Sequence, residues 1–276
     1  MSISETLITP QPPPPAPPQP FTLTRLAGIV FMAIWIAIFL AVAISIFDGF
    51  DIGKFTQYGP KLLHGLGVTL QLVLTSIILG AIISLPVAFA RMSTSPILSR
   101  LAYGYVYFFR GTPLIAQLYL IYYGLGSFRP ELDAIGVWWF FRDAYNCALF
   151  SFTLNTAAYQ AEILRGAIES VPRGQREAAH ALGIGRFPTF FRVIMPQALI
   201  VALRPYGNEI ILMIKGSAIV AIVTVFDLMG ETRRAFSRTF DFQLYIWAAI
   251  LYLLVVEVLR NLWNGFEARL TRHLKR

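Results

Sequence analysis

A chain of 276 residues that is 56% apolar and 14% charged carries roughly half the charge share of a soluble domain, which excludes an ordinary water-soluble fold. Much of its formal net charge of +8 sits in one loop (Arg173, Arg176, Arg186, Arg192) and at the C-terminus (Arg269, Arg272, Lys275, Arg276). Basic residues beside apolar spans are topology signals that hold those segments in the cytoplasm, and they argue against a nucleic-acid surface.

Residues 10–20 form a proline-rich tract with almost nothing to bury, and an extended, mobile tail is expected within a cytoplasmic segment 1–24. The tract lacks the basic region and apolar core of a secretory signal. Six apolar segments follow, each near the length of about 20 residues that crosses a hydrocarbon core as helix. An all-α integral membrane protein is therefore predicted. The first segment, about 26–47, is uncharged and lies in an N-terminal helical unit, 25–50. The second, about 66–90, contains Thr69, Gln71, Thr75 and Ser76, polar groups that should face other helices rather than lipid. The third, about 101–125, is interrupted by Arg110-Gly111-Thr112-Pro113. Residues 128–142 carry Trp138, Trp139, Phe140 and Phe141, a set suited to the aromatic belt at a membrane surface. The fourth, fifth and sixth segments run about 144–168, 199–225 and 245–263, and 265–276 form a basic cytoplasmic C-terminus. An even number of spans puts both termini on one side, and the basic C-terminus makes that side the cytoplasm. Arg233, Arg234 and Arg238 then fall in an outer loop and oppose the rule, but the other loops outvote them.

Cys147, the single cysteine, excludes an internal disulfide and reads as a small buried side chain. His64, His180 and His273 are scattered, with no metal-site spacing.

Polar residues inside the spans are the candidates for function. Arg110 in an apolar span is costly unless paired or hydrated. Gly111, Thr112 and Pro113 can break the helix, and irregular backbone at depth is tolerated where it lines a cavity. Two readings stand: a kinked gate near the outer end of a pathway, or a structural kink with Arg110 reaching the headgroups. Asn155, Tyr159 and Glu162 follow a spacing of i, i+4 and i+7, so one helix face carries an amide, a phenol and a carboxylate. That face should meet protein or a wet cavity. Glu162 or Glu209 could meet a cationic substrate; the alternative is structural ion pairing, Glu162 with Arg165 and Glu209 with Arg204. Lys215 could pair with an acidic group or with a substrate carboxylate.

Between the fourth and fifth spans, residues 176–183 read Arg-Glu-Ala-Ala-His-Ala-Leu-Gly. A helix here brings Ala178, Ala179 and Leu182 together, with Gly183 one turn past Ala179. Small side chains let a partner backbone approach closely. Gly183 can end the helix, and Pro188 opposes its continuation. The face is too small and alanine-rich to insert well into a membrane, so a docking surface is expected.

Glu177-Ala178-Ala179, Gly183 and Val193-Ile194-Met195-Pro196 together resemble the EAA loop of ABC importer permeases, with Val193 and Met195 where that pattern has Ile and Leu. The resemblance implies a type I ABC importer transmembrane domain over 65–264, six transmembrane helices in the chain, and a cytoplasmic coupling helix. Through Glu177, Ala178, Ala179 and Gly183 that helix would seat in a cleft of an ATP-hydrolysing subunit. Phe109-Arg110-Gly111-Thr112-Pro113-Leu114 with Gln117 is similar to the signature of polar amino-acid permeases. So are Tyr159-Gln160-Ala161-Glu162-Ile163-Leu164-Arg165-Gly166-Ala167-Ile168, Ser170-Val171-Pro172-Arg173-Gly174-Gln175, and residues 208–215 with Asp227-Leu228. The likeness is nearest to M-type permeases of histidine/lysine/arginine/ornithine and octopine/nopaline importers, at Phe152-Thr153-Leu154-Asn155-Thr156 and 208–213. Many of those have five spans, so the first helix looks like an addition.

The implied function is that of a non-catalytic permease subunit in a bacterial inner membrane, importing a polar, basic amino acid or an opine. Arg110, Gly111, Thr112, Pro113, Gln117, Asn155, Tyr159, Glu162, Glu209 and Lys215 are its candidate gate and substrate-pathway residues. No phosphate-binding glycine loop with its Lys-Ser/Thr is present, so no cofactor is expected on this chain, and ATP and Mg²⁺ belong to partner ATPase subunits. A second permease subunit, as homodimer or heterodimer, and a periplasmic solute-binding protein complete the expected assembly. Glutamine, glutamate or cystine is the alternative substrate. An ion-coupled secondary transporter predicts a duplicated hydropathy pattern, which is not seen. A membrane enzyme would need a catalytic cluster, also not seen.

Overall fold

The computed structural model describes residues 22–272; the proline-rich tract 10–20, His273, Lys275 and Arg276 lie outside the described residues. Every regular element among the described residues is helical. The chain divides into two units, Met1–Phe50 and Asp51–Arg276. In the first, α1 (Leu23–Asp48) is apolar all round and buries none of its residues, the pattern of a helix whose surroundings are lipid.

The second unit begins with a long helix, α2 (Ile52–Arg91). The predicted span started at residue 66. The earlier start follows from Asp51, whose carboxylate caps the helix by accepting from the Gly53 and Lys54 backbone N–H groups at 2.8 and 3.2 Å. At about 1.5 Å per residue, its 40 residues reach about 60 Å, roughly twice the hydrocarbon thickness. α3 (Pro96–Gly111) stops at Thr112 and Pro113, both extended, and α4 (Leu114–Tyr119) resumes, ending in a π-helical turn, Leu120–Gly124. Two short helices, α5 (Arg129–Ala134) and α6 (Trp138–Phe141), lead to α7 (Ala144–Ser170).

α7 is the centre of this unit and packs on α2, α10 and α3. Its buried side includes Cys147, Ser151, Thr153, Asn155, Thr156 and Gln160, so its polarity is spent inside protein. Close packing against α2 depends on Gly80, where an added Cβ would lie 2.6 Å from the Thr156 methyl group; small residues are what let membrane helices approach. The Cys147 thiol is buried and donates to the Phe141 carbonyl at 3.1 Å.

α8 (Arg173–Ala181) and α9 (Arg186–Thr189) follow, and a π-helical turn, Phe190–Ile194, leads into α10 (Met195–Gly216). The wide turn has a local cause: Pro196 in the first turn of α10 can neither donate to the preceding turn nor tolerate its carbonyl. Pro188 lies inside α9, so it starts the next helix, and Gly183 alone ends α8. A 3₁₀ stretch, Ser217–Val223, then leads to α11 (Leu228–Thr239) and α12 (Gln243–Leu270).

α8 and α11 mark opposite ends of this unit. Tyr58 and Leu62 of α2 pack with Ala235, Leu244 and Leu228, whereas Phe89 meets Phe190 at 5.8 Å between ring centres. Those two stretches of α2 are separated by about 45 Å of helix.

By length and composition, four helices qualify as membrane crossings: Leu23–Asp48, Ile52–Arg91, Arg186–Val223 and Gln243–Leu270. Two of the six expected spans are not among them. The third is divided at Thr112–Pro113, and the fourth, α7, carries the buried polar groups named above. Arg233, Arg234 and Arg238 are helical residues of α11 rather than a loop. Arg233 donates to the Ala221 carbonyl at 3.1 Å, and Arg234 lies over the Phe226 ring and 3.7 Å from Glu231.

Candidate functional site

Glu162 stands where α2, α3 and α7 meet. Its Oε1 accepts from Arg91 Nε at 3.0 Å, and its Oε2 accepts from Arg165 Nη2 at 2.8 Å. Arg110 Nη1 lies 3.8 Å away, and its guanidinium sits 5.2 Å from the centre of the Tyr159 ring. Arg165 also holds Glu169 at 2.6 Å. The expected Glu162–Arg165 pair is therefore present, as part of a larger cluster. Arg110 turns toward Glu162 and Tyr159. Arg91 is the last residue of α2; nothing in its local sequence announces a partner 71 residues away.

Two open depressions flank this cluster. One, of about 360 Å³, is lined by Arg110, Tyr159, Glu162 and Pro205 among others; the second, of about 380 Å³, shares the first three and adds Arg91, Tyr103 and Tyr107. Three guanidinium groups face Glu162 and Glu169. Arg110, with its side chain 44% exposed, is the charge that both depressions offer to a visitor. Glu162 is already occupied by three cations and offers none of its own charge freely.

The helix break is held by amides. Gln117 Nε2 donates to the Phe109 carbonyl, the Thr112 carbonyl and Thr112 Oγ1 at 2.9, 3.1 and 2.8 Å. Asn155 Nδ2 donates to the same Phe109 carbonyl at 3.0 Å and to Gln117 Oε1 at 2.9 Å. The Phe109 carbonyl, which Pro113 leaves without its helical donor, and the Thr112 carbonyl are thereby satisfied inside the protein, as buried backbone requires. Asn155, Tyr159 and Glu162 do share one face of α7. The first fixes the break, and the other two line the depressions.

Glu209 lies elsewhere. It is buried on α10 and accepts from Thr156 Oγ1 at 2.9 Å; Thr156 also receives Gln160 Nε2 at 3.1 Å. The expected Glu209–Arg204 pair does not form, because Arg204 Nε reaches Glu267 on α12 at 2.6 Å. Lys215 is exposed and makes no ion pair among the described residues. Thr156 and Gln160 are contributors that sequence reasoning missed; both lie within the quoted motifs, but neither carries a charge to single it out. No group of three or more His, Cys, Asp or Glu side chains placed to hold a metal occurs among the described residues.

At the far end, α8 closes in a Schellman motif: Gly183 N–H donates to the His180 carbonyl at 3.0 Å and Ile184 N–H to the Ala179 carbonyl at 2.9 Å. The motif requires Gly183 at φ +70, a left-handed conformation cheap only for glycine. Ala179 is turned inward and buried, whereas Glu177, Ala178 and Leu182 are exposed. The small-residue patch expected from Ala178, Ala179 and Leu182 is therefore divided, with Ala179 anchoring the helix and the other two facing outward.

Residues 76–272 match the family described as binding-protein-dependent transport system inner membrane component. The chain is 41% identical over 226 residues to the nopaline transport system permease protein NocM of Agrobacterium fabrum, covering 82% of this chain and 94% of that one. It is 37% identical over 212 residues to the histidine/lysine/arginine/ornithine transport system permease protein HisM of Escherichia coli, covering 76% and 89% respectively. Among solved structures, it is similar to a chain in the crystal structure of an amino acid ABC transporter with histidines. That match has 33% identity and a TM-score of 0.71, over 80% of this chain and 99% of the other.

Proposed function

The chain belongs to the family of binding-protein-dependent transport system inner membrane components, and from that membership we propose that it imports a basic amino acid or an opine as the permease subunit of an ATP-driven transporter. The observation that carries the substrate class is its likeness, along most of both chains, to permeases named for nopaline and for histidine, lysine, arginine and ornithine. Glutamine, glutamate or cystine is the runner-up.

The chain crosses the inner membrane six times, through α1, α2, the broken α3–α4 pair, α7, α10 with its flanking turns, and α12. The length of α7, 27 residues, supports counting it, since about 20 suffice. Both termini and α8 face the cytoplasm, and α11 faces outward. The permease domain spans 65–264; the tail 1–24, the helical unit 25–50 and the C-terminus 265–276 lie outside it. α8 is the coupling helix: Glu177 and Ala178 meet the ATPase subunit, Ala179 fixes the helix from inside, and Gly183 sets its end. ATP and Mg²⁺ act on that partner subunit, while an external solute-binding protein delivers the substrate.

In the pathway, the exposed Arg110 guanidinium takes the carboxylate that every amino acid carries, with Tyr159 beside it. Gly111, Thr112, Pro113, Gln117 and Asn155 form the break that positions Arg110. Glu162 reaches a cationic group only by giving up an arginine, which links substrate entry to rearrangement of the cluster. On the α10 side, Glu209 acts from behind the path through its bond to Thr156, and the exposed Lys215 supplies a charge. A second permease subunit completes the path. ATP-driven closure of the partner subunits reorients it, an alternating access by population shift.

The test is reconstitution with the ATPase and solute-binding protein, measuring ATP hydrolysis stimulated by arginine, histidine, nopaline and glutamine. Stimulation by glutamine but by none of the others overturns the substrate class.

A further inference from the structure

A groove of about 510 Å³ opens between the ends of α2 and α7 and the segment from α8 to the start of α10. Phe89, Phe190 and Ile194 form an apolar floor, Arg176, His180 and Arg186 stand around it, and no carboxylate lines it. The three basic side chains are exposed and make no ion pair among the described residues. Arg176 makes a single long bond, to the Ile168 carbonyl at 3.3 Å, which leaves most of its guanidinium donors free.

The lining of the groove identifies its occupant. Phe89 is 43% exposed and lies two residues from the end of α2, one of the helices apolar and long enough to cross a membrane. The apolar floor therefore continues onto the side of a helix fit to cross a membrane, and with α8 on the cytoplasmic face, as proposed above, that end of α2 lies toward the headgroups. Basic side chains above such a floor match a phospholipid with an anionic headgroup, and each Lys or Arg near a membrane surface favours an anionic lipid by about 1 kcal/mol. A free phosphate would gain nothing from Phe89, Phe190 and Ile194. A zwitterionic lipid would gain less from the arginines, because its own headgroup cation offsets the phosphate charge.

We infer that this groove holds an anionic phospholipid, with its headgroup on Arg176, His180 and Arg186 and an acyl chain along Phe89 and Phe190. Seated there, the lipid braces α8 against the membrane end of α2. The inference rests on the cytoplasmic placement of α8 proposed above. Labelling of a Gly174→Cys variant from outside intact cells would overturn that placement independently of any lipid measurement.

The test is native mass spectrometry of the complete permease–ATPase complex titrated with phosphatidylglycerol or phosphatidylcholine. The wild-type complex should retain phosphatidylglycerol preferentially. Arg176→Gln with Arg186→Gln should weaken that retention about tenfold or more without changing phosphatidylcholine adducts. Arg173→Gln, in the same helix but outside the groove, should behave as wild type. Equal retention of the two lipids, wild-type retention by the double variant, or displacement of the lipid by millimolar glycerol phosphate would each overturn the inference. So would an intact complex that binds no phosphatidylglycerol.

Discussion

Arg91 Nε donates to Glu162 Oε1 at 3.0 Å and ties the last residue of α2 to the middle of α7. Both side chains are mostly covered, at 16% and 13% exposure. Because Arg110 and Arg165 also face Glu162, the two partners are unequal. Glu162→Gln leaves three guanidinium groups facing one another and should cost about 2 kcal/mol, between the ranges for exposed and buried pairs. Arg91→Gln leaves Glu162 still paired and should cost about 1 kcal/mol. Thermal unfolding of the purified complex checks the order, and a larger loss for Arg91→Gln contradicts the cluster.

Gly207 packs directly under the indole of Trp263, with no room for a Cβ, and Trp263 Nε1 donates to the Leu203 carbonyl at 2.9 Å. Gly207→Val should displace the ring, break that bond and destabilise by about 1–3 kcal/mol through overpacking. Adding Trp263→Ala should recover part of the loss. A double-mutant cycle in thermal unfolding measures this, and strict additivity would show that the two residues are not coupled.

Asn155→Leu keeps the branched shape, with a somewhat larger volume, but removes two donated bonds, to Phe109 and Gln117. A buried acceptor left empty costs about 1–3 kcal/mol. The loss should appear as faster amide hydrogen exchange over 109–117, with α8 unchanged. Unaltered exchange at the break would mean that Gln117 alone holds it.

Gly183 has no neighbouring atom within 4 Å of an added Cβ, so space does not restrict it inside this subunit. Gly183→Ala should cost only the left-handed backbone penalty of about 1 kcal/mol and still co-purify with the ATPase subunit. Gly183→Trp should abolish co-purification while the permease still folds. Retained co-purification and full transport in the Trp variant would remove the coupling assignment.

Local chemistry explains which parts were legible in the sequence. The helix break was readable because Pro113 lacks an N–H and Gly111 weakens the preceding turn. The end of α8 was readable because Gly183 tolerates positive φ. The early start of α2 was missed because its first turns are amphipathic, held by Asp51 and by packing under α11 rather than by apolar length. The inward turn of Ala179 was missed because three neighbouring alanines, at 178, 179 and 181, give no preference for one face.

By itself the sequence determined the helical membrane class, the family, the helix break at Thr112–Pro113 and the site of the α8 turn, since each depends on composition or on backbone chemistry within a few residues. Only the tertiary structure decided that Glu162 answers to three arginines, that Arg204 takes Glu267 and leaves Glu209 to Thr156, and that Asn155 secures the break. Those choices rest on contacts between residues as far as 71 positions apart. A charge in sequence states only that a partner is needed; the packing of α2, α3, α7 and α10 states which one.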